Sequence, residues 1–206
     1  MALNDLYKAI RHAWLTYTIA AINFLVFGYE LYLSGGLAVT DRALLKVALV
    51  NYCVTYCHEY WRLISAIFVH LDWIHLAMNT FFLLYLGSQL EILVGRARFL
   101  VLYLTAGIFG NLLTLKFLGP FIISGGASGA LFGIAGALIM IEGTLKRNIQ
   151  MALGNAFFLF LINSWLPGVN WVAHLGGLIV GLAFGYNYGI YVRRKIAKME
   201  YWDLGW

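Results

Sequence analysis

A serine, a histidine and an asparagine lie inside long apolar runs of this sequence, where polar side chains are costly and commonly functional. Ser128 lies in GGASGALFG, His174 in AHLGGLIVG, and Asn79 ends HLDWIHLAMN. A neutral imidazole can take the proton of a serine hydroxyl near pH 7, which makes the hydroxyl a nucleophile. Glu142 and Glu91, on the same predicted helices, lie about 21 Å and about 18 Å from these polar groups, because a helix rises about 1.5 Å per residue. No carboxylate can therefore orient the histidine, and the residues predict acyl transfer by a Ser-His dyad.

Acyl transfer also needs hydrogen-bond donors where negative charge develops on the carbonyl oxygen. Asn79 offers a side-chain N–H, and His75, one turn above it on the same predicted helix, offers a second. The backbone N–H of Ser128 is a third candidate, because it lies in the unpaired first turn of a predicted helix. Phe132, one turn below Ser128, is expected to pack against the His174 ring and to orient it.

The composition places these residues in a lipid bilayer. Hydrophobic residues make up 62% of the 206, charged residues make up 11%, and several apolar runs approach 20 residues, the length that crosses a hydrocarbon core of about 30 Å. The sequence therefore predicts an all-α, polytopic membrane protein. The net charge of +5 does not indicate a nucleic-acid partner, because basic residues at the ends of apolar runs are topology signals first.

Breaks at polar, glycine and proline residues divide the chain into six predicted membrane spans. They cover residues 13–33, 74–94, 98–118, 128–145, 148–166 and 171–191. An outer loop, 34–70, separates the first two spans. The first apolar run is long for a signal peptide and no convincing cleavage site follows it, so we expect it to be retained.

The basic residues predict the orientation of these spans. With six spans, both termini lie on one side, and that side carries Lys8, Arg11, Arg96, Arg98, Lys146, Arg147, Arg193, Arg194, Lys195 and Lys198. The other side carries Arg42, Lys46, Arg62 and Lys116. Because cytoplasmic loops are enriched in Lys and Arg, the termini are predicted to be cytoplasmic.

Two rows of small residues predict how the polar groups meet. The fourth span carries Gly129, Gly133 and Ala137, and the sixth carries Ala173, Gly177, Gly181, Gly185 and Gly189. In lipid, helices associate through the close approach of small residues. Counted from the cytoplasmic charges, Ser128, His174 and Asn79 all lie at about 25–28 Å. Facing rows would bring Ser128 and His174 within hydrogen-bonding reach.

The connection KFLGPFIISGG, 116–126, must return from the outer surface to Ser128. Non-helical backbone at membrane depth survives only where it is buried in protein or lines a wet cavity. The sequence therefore predicts an aqueous pocket that opens to the outer side.

Four motifs in order resemble the rhomboid intramembrane serine proteases. They are WR at Trp61–Arg62, HLDWIHLAMN, GASG at 126–129, and AHLGGLIVG at 173–181, and the resemblance runs from about Trp61 to Gly185. It implies a bundle of six helices that cleaves transmembrane segments of other proteins, without a metal or cofactor. It also implies that Ser128 is the nucleophile, that His174 is the general base, and that His75 and Asn79 occupy oxyanion positions.

The resemblance further implies structural roles. Trp61 and Arg62 are expected to help anchor a loop that lies partly in the membrane, and Glu91 and Gly95 are expected to be structural as well. We extend the structural role to the glycines of the motifs and of the small-residue rows, which are Gly126, Gly129, Gly133, Gly177 and Gly181. The short termini favour the minimal prokaryotic form in the cell membrane, and the N-terminus lacks a transit-type composition. The fifth span carries Phe157, Phe158, Phe160 and Trp165, which fit either a substrate entrance or a surface facing lipid.

Several alternatives stay open. We interpret Cys53 and Cys57 as ordinary residues of a short interfacial helix, in preference to a disulfide or to a metal site with His58. A non-catalytic rhomboid-like chaperone, or a small channel or transporter, is the alternative function, in which Ser128, His174 and Asn79 line a water-filled cavity. The sequence indicates neither the natural substrate nor the oligomeric state.

Overall fold

A computed structural model describes residues 13–164 and 168–203 of the chain, with side chains described as far as residue 199. Lys8 and Arg11, which contribute to the predicted orientation, and Trp165 of the predicted fifth span lie outside the described residues. Most of these residues are helical.

The helices follow one another through short connections. In chain order they are α1 (Trp14–Ser34), α2 (Asp41–Val47), α3 (Asn51–Tyr56), α4 (Arg62–Ser65), α5 (Trp73–Phe82), α6 (Ser88–Val94), α7 (Arg96–Phe117), α8 (Ser128–Leu145), α9 (Ile149–Ser164) and α10 (Trp171–Asp203). A π-helical turn, Leu83–Gly87, joins α5 to α6 without a break. Two short strands, β1 (Leu49–Val50) and β2 (Ile123–Ser124), pair antiparallel.

Four helical segments of the described chain are long and apolar enough to cross a membrane. They are Trp73–Val94, α7, α8 and Trp171–Met199. Helix α9 is apolar but has 16 residues, so it extends about 24 Å against a core of about 30 Å. Helix α1 has 21 residues but includes Asn23 and Glu30. The all-α, polytopic fold is confirmed, and crossing by α1 and α9 stays a prediction.

The predicted limits of the first four spans lie within two residues of the observed helices. The predicted sixth helix, 171–191, is too short, because α10 continues to Asp203, while the limit of the membrane span within it stays a prediction. Lys and Arg are good helix formers, so charges mark where a helix leaves the bilayer but do not end it. The predicted loop 34–70 contains α2, β1, α3 and α4, and Cys53 and Cys57 are free thiols in and beside α3.

Helix α8 forms the centre of the bundle, with 72% of its span buried. Its predicted contact with α10 is observed. A Cβ added at Gly177 or at Gly181 would overlap the carbonyl oxygen of Gly129 or Gly133, and one at Gly185 would lie 2.5 Å from that of Ala137. Glycine is required here because the two backbones touch.

Arg62 holds the outer segment together. Its side chain is 5% exposed and pairs with Glu59. Its guanidinium group donates to the carbonyl oxygens of Ala48 at 2.6 Å and Leu45 at 3.0 Å, and it stacks on the ring of Trp61. One buried side chain therefore joins α4 to the end of α2 and the start of β1.

Glu91 fixes the start of α1. Its carboxylate accepts from the backbone N–H groups of Leu15 at 3.1 Å and Thr16 at 2.7 Å, and from the Thr16 hydroxyl at 2.7 Å. A carboxylate at this place satisfies unpaired donors of the first turn and complements the helix dipole. The contact attaches α1 to α6, which is the structural role that the resemblance implies.

Candidate active site

Ser128 is the first residue of α8 and is half-buried. Two residues earlier, Gly126 has φ +134°, a conformation that side chains rarely adopt. A Cβ at Gly126 would lie 2.8 Å from Nε2 of His75 and 3.7 Å from the Ser128 hydroxyl oxygen. The missing side chain thus lets the imidazole and the hydroxyl approach the same point.

His75 lies in the first turn of α5, where the Asp72 carboxylate accepts from its backbone N–H at 2.8 Å. The ring nitrogen Nδ1 of His75 accepts from the backbone N–H of Leu71 at 3.4 Å. A neutral imidazole with Nδ1 as acceptor carries its proton on Nε2. His75 therefore offers an N–H donor at Nε2, the atom that lies beside Gly126.

Asn79 is 5% exposed and turns towards its own helix. Its Nδ2 donates to the carbonyl oxygen of His75 at 2.8 Å, while Oδ1 has no partner among the described residues. The sequence places Asn79 as a donor to an oxyanion. In the structure one of its two N–H groups is already used within α5, so the second N–H is the one available.

His174 lies in the first turn of α10 and is 6% exposed. The side-chain oxygen of Asn170 accepts from the backbone N–H of Ala173 at 3.0 Å and caps this helix. The His174 ring stacks on Phe132, with centroids 4.2 Å apart and 18° between the planes. The contact expected from the sequence is present, and it fixes the plane of the imidazole.

Ser164, at the end of α9, is a site residue that the sequence analysis missed. Its hydroxyl oxygen lies 3.2 Å from Nδ1 of His174. A signal was available, because Ser164 lies 17 residues after Arg147, or about 25 Å, at the predicted level of Asn79. Depth counting along the fifth span would have found this hydroxyl.

His70 and Glu30 were also missed. His70 is fully buried, its Nδ1 donates to the carbonyl oxygen of Phe68 at 3.0 Å, and its ring lies edge-on to His75 with centroids 5.2 Å apart. Burial, and then the proximity of the titratable His75 ring, lowers the pKa of His70 to about 4. The Glu30 carboxylate accepts from the backbone N–H of His70 at 3.3 Å. These contacts hold the segment before α5 against α1, and the His70 ring packs against the ring of His75.

Ser128 and His174 lie on touching helices, since a Cβ at Gly129 would be 3.4 Å from the carbonyl oxygen of Ala173. Within the described part of the chain, however, no hydrogen bond joins the Ser128 hydroxyl to His174, whose ring pairs with Ser164 instead. The predicted approach of the two helices is observed, and the predicted hydrogen bond is not formed.

Comparison with known proteins gives a family match over most of the described helices. Residues 57–191 match the family model described as the rhomboid domain. The chain is 34% identical over 171 residues to the rhomboid protease GluP of Bacillus subtilis (strain 168), covering 81% of this chain and 33% of that protein. It is 38% identical over 135 residues to RHOMBOID-like protein 6, mitochondrial, of Arabidopsis thaliana, covering 63% and 44%. The chain thus spans less than half the length of these two relatives.

Proposed function

The chain belongs to the rhomboid family, and we propose that it is an intramembrane serine endopeptidase that cleaves transmembrane segments of other membrane proteins. The observation that supports this best is the backbone contact between α8 and α10 at Gly129 and Ala173. Ser128 immediately precedes the first of these residues, and His174 immediately follows the second. A nucleophile and a base on adjoining helix ends are what acyl transfer requires.

In the proposed reaction, Nε2 of His174 takes the proton of Ser128 as the hydroxyl oxygen attacks the scissile carbonyl carbon. His174 then returns the proton to the leaving amine, and water hydrolyses the acyl-enzyme by the same route. Nδ1–H of His174 donates to Ser164, which keeps Nε2 free to accept. The Ser128–His174 hydrogen bond forms with substrate bound, since such bonds commonly tighten only in that complex.

The oxyanion of the tetrahedral intermediate accepts from three N–H groups. They are Nε2–H of His75, the backbone N–H of Ser128 and the second amide N–H of Asn79. The Ser128 N–H lies in the first turn of α8, where it has no acceptor within the helix and is at the positive end of the helix dipole. Donors of this kind are effective because they are oriented before the reaction begins.

The protein acts in the cell membrane, with both termini in the cytoplasm and the active site open to the outer side. This orientation is supported by the basic residues Arg147, Arg193 and Arg194, which lie at the opposite end of the bundle from Ser128. Its partners are the lipid bilayer and transmembrane protein substrates.

A cleavage assay tests the proposal. We expect the purified protein in detergent to cut a model transmembrane substrate, and Ser128→Ala and His174→Ala to abolish cutting while thermal unfolding stays that of the wild type. A serine-reactive fluorophosphonate probe is expected to label Ser128 in the wild type only. Equal cleavage by all three proteins would reject the proposal that the protein is a protease that uses Ser128 and His174.

The unformed Ser128–His174 hydrogen bond favours one alternative, a non-catalytic rhomboid-like protein. In that case Ser128, His174 and Asn79 line a polar cavity that holds a client segment without cutting it. The same assay separates the two functions, because such a protein would retain a bound transmembrane peptide with no cleavage and no probe labelling.

A further inference from the structure

A cavity of about 670 Å³ opens at the end of the bundle that lies farthest from Ser128. Its lining includes the arginines Arg147, Arg193 and Arg194 and the apolar residues Leu145 and Ile190. A neighbouring cavity of about 390 Å³ shares Arg147 and Arg193. Two separate parts of the chain, the α8–α9 turn and α10, therefore contribute arginines to the lining of one open space.

The spacing along α10 explains why these side chains converge. Ile190, Arg193, Arg194 and Ala197 recur at helical positions i, i+3, i+4 and i+7, which lie on one face. One residue before Ile190, a Cβ at Gly189 would lie 2.7 Å from Cβ of Thr144. Because α8 and α10 still touch at this point, the face of α10 beyond it continues directly over the α8–α9 turn.

The depth of the cavity matches the boundary of a bilayer. Arg193 lies 22 residues after Trp171, the start of α10, so the two are about 33 Å apart along the helix. A hydrocarbon core is about 30 Å thick. Arg193 is thus expected at headgroup level, and Ile190 and Leu145, which precede Arg193 and Arg147 by three and two residues, are expected nearer the acyl region.

The arginines of this cavity have no acidic partner in the described part of the chain. The ion pairs Arg62–Glu59 and Lys146–Glu142 do not involve them, and the cavity lining contains no carboxylate. Three cations over an apolar floor fit an anion that carries a hydrocarbon chain.

Arg147 adopts a backbone conformation that is unusual for arginine. Its φ is +56°, and the backbone N–H groups of Arg147 and Asn148 donate to the carbonyl oxygens of Thr144 at 3.3 Å and Gly143 at 2.8 Å. This left-handed helix end normally carries glycine. Arginine therefore costs conformational energy here, and it contributes to the cavity lining.

We infer that this cavity, the arginine pocket, binds an anionic phospholipid. The guanidinium groups of Arg147, Arg193 and Arg194 hold the phosphate, since arginine offers paired donors to phosphate oxygens. Leu145 and Ile190 contact the start of an acyl chain. The inference is independent of the proposed protease activity.

Native mass spectrometry of the full chain in an uncharged detergent tests the arginine pocket. Phosphatidylglycerol is titrated against phosphatidylcholine, and the wild type is expected to bind the former more tightly. A basic residue near an anionic lipid surface contributes about fivefold in affinity, so Arg193→Gln with Arg194→Gln should weaken phosphatidylglycerol binding by about tenfold or more.

Lys195→Gln with Lys198→Gln is the matched control, because it removes the same charge from exposed positions of the same helix outside the pocket. We expect a change of less than about twofold. If both double variants bind phosphatidylglycerol equally weakly, the lipid is attracted by the overall positive charge of the helix and not by the arginine pocket, and the inference is overturned. Displacement of the lipid by glycerol phosphate, which lacks acyl chains, would show that the pocket recognises the phosphate alone and would overturn the inference of a lipid site.

Arg147→Gly keeps the test decisive if the paired variants fold poorly. Glycine suits the left-handed conformation, so this variant should unfold at or above the wild-type temperature while it binds phosphatidylglycerol about fivefold more weakly. Unchanged phosphatidylglycerol binding by a stable Arg147→Gly variant would overturn the inference that the arginine pocket binds the lipid.

Discussion

Helix α8 is packed in different ways on its two sides. Towards α10 the contact is backbone against backbone, and glycine positions such as Gly177 leave no room for a side chain. Towards the outer part of α9 the contact is between side chains, with Phe132 and Phe160 edge to face at 6.5 Å. Phe157 and Phe158 of α9 are 62% and 64% exposed. The α8–α10 contact thus has one possible spacing, whereas the outer part of the α8–α9 contact can repack.

The two contacts meet at the proposed base. His174 belongs to α10, whose distance from Ser128 is fixed by glycines, yet its Nδ1 pairs with Ser164 at the end of α9. Phe132 touches both sides, since it stacks on His174 and packs against Phe160. We infer that the α8–α10 contact sets where the base lies, and that the α9 side sets how its ring is held.

The largest expected effect comes from breaking the α8–α10 contact. Gly181→Leu inserts a side chain where a Cβ already overlaps the carbonyl oxygen of Gly133, so the helices must separate. We expect a loss of at least about 4 kcal/mol in the free energy of unfolding, as for severe overpacking, together with loss of cleavage. Unfolding and cleavage in detergent measure the two effects.

Gly154→Leu is the matched control, because no atom lies within 4 Å of a Cβ at Gly154 on α9. Leucine has the higher helix propensity, so this variant should be as stable as the wild type or more stable by up to about 1 kcal/mol. A stable and active Gly181→Leu would show that the α8–α10 contact does not position the base.

A smaller effect is expected at Asn79, which lies on α5 and belongs to neither contact. Asn79→Ala removes one of three proposed oxyanion donors. It should raise the activation free energy by up to about 3 kcal/mol and so lower kcat. KM should change little, because the donor acts on charge that develops during the reaction. Steady-state kinetics with the transmembrane substrate measure both, and a defect confined to KM would contradict the assignment.

The sequence predicted the features that depend on local pattern. Glycine spacing gave the α8–α10 contact, and the position of Ser128 at a helix start followed from the breaks in the apolar runs. The resemblance implied that Arg62 anchors the outer loop, but not which groups it binds, because its partners are the backbone carbonyl groups of Ala48 and Leu45, and carbonyl groups carry no residue-specific signal. The end of α10 was misplaced because hydropathy reports burial in lipid and not helical conformation.

Ser164 gives the smallest and most discriminating prediction. Ser164→Ala removes the acceptor for Nδ1–H of His174, so the imidazole loses the hydrogen bond that selects Nε2 as its basic nitrogen. A hydrogen bond of this kind contributes about 1 kcal/mol, and we expect kcat to fall five- to tenfold with KM unchanged. Kinetics with the same transmembrane substrate measure the split, and Ser164→Thr, which keeps the hydroxyl, should restore most of kcat.

Ser164→Ala also separates positioning from packing. A merely structural role would lower the unfolding temperature in Ser164→Ala, and activity would follow stability. A positioning role predicts normal unfolding with reduced kcat, because the stacked Phe132 still holds the plane of the ring while the proton is free to occupy either nitrogen. Wild-type kcat in Ser164→Ala would mean that Phe132 alone orients the base, and that the α9 side of the bundle contributes nothing to the chemistry.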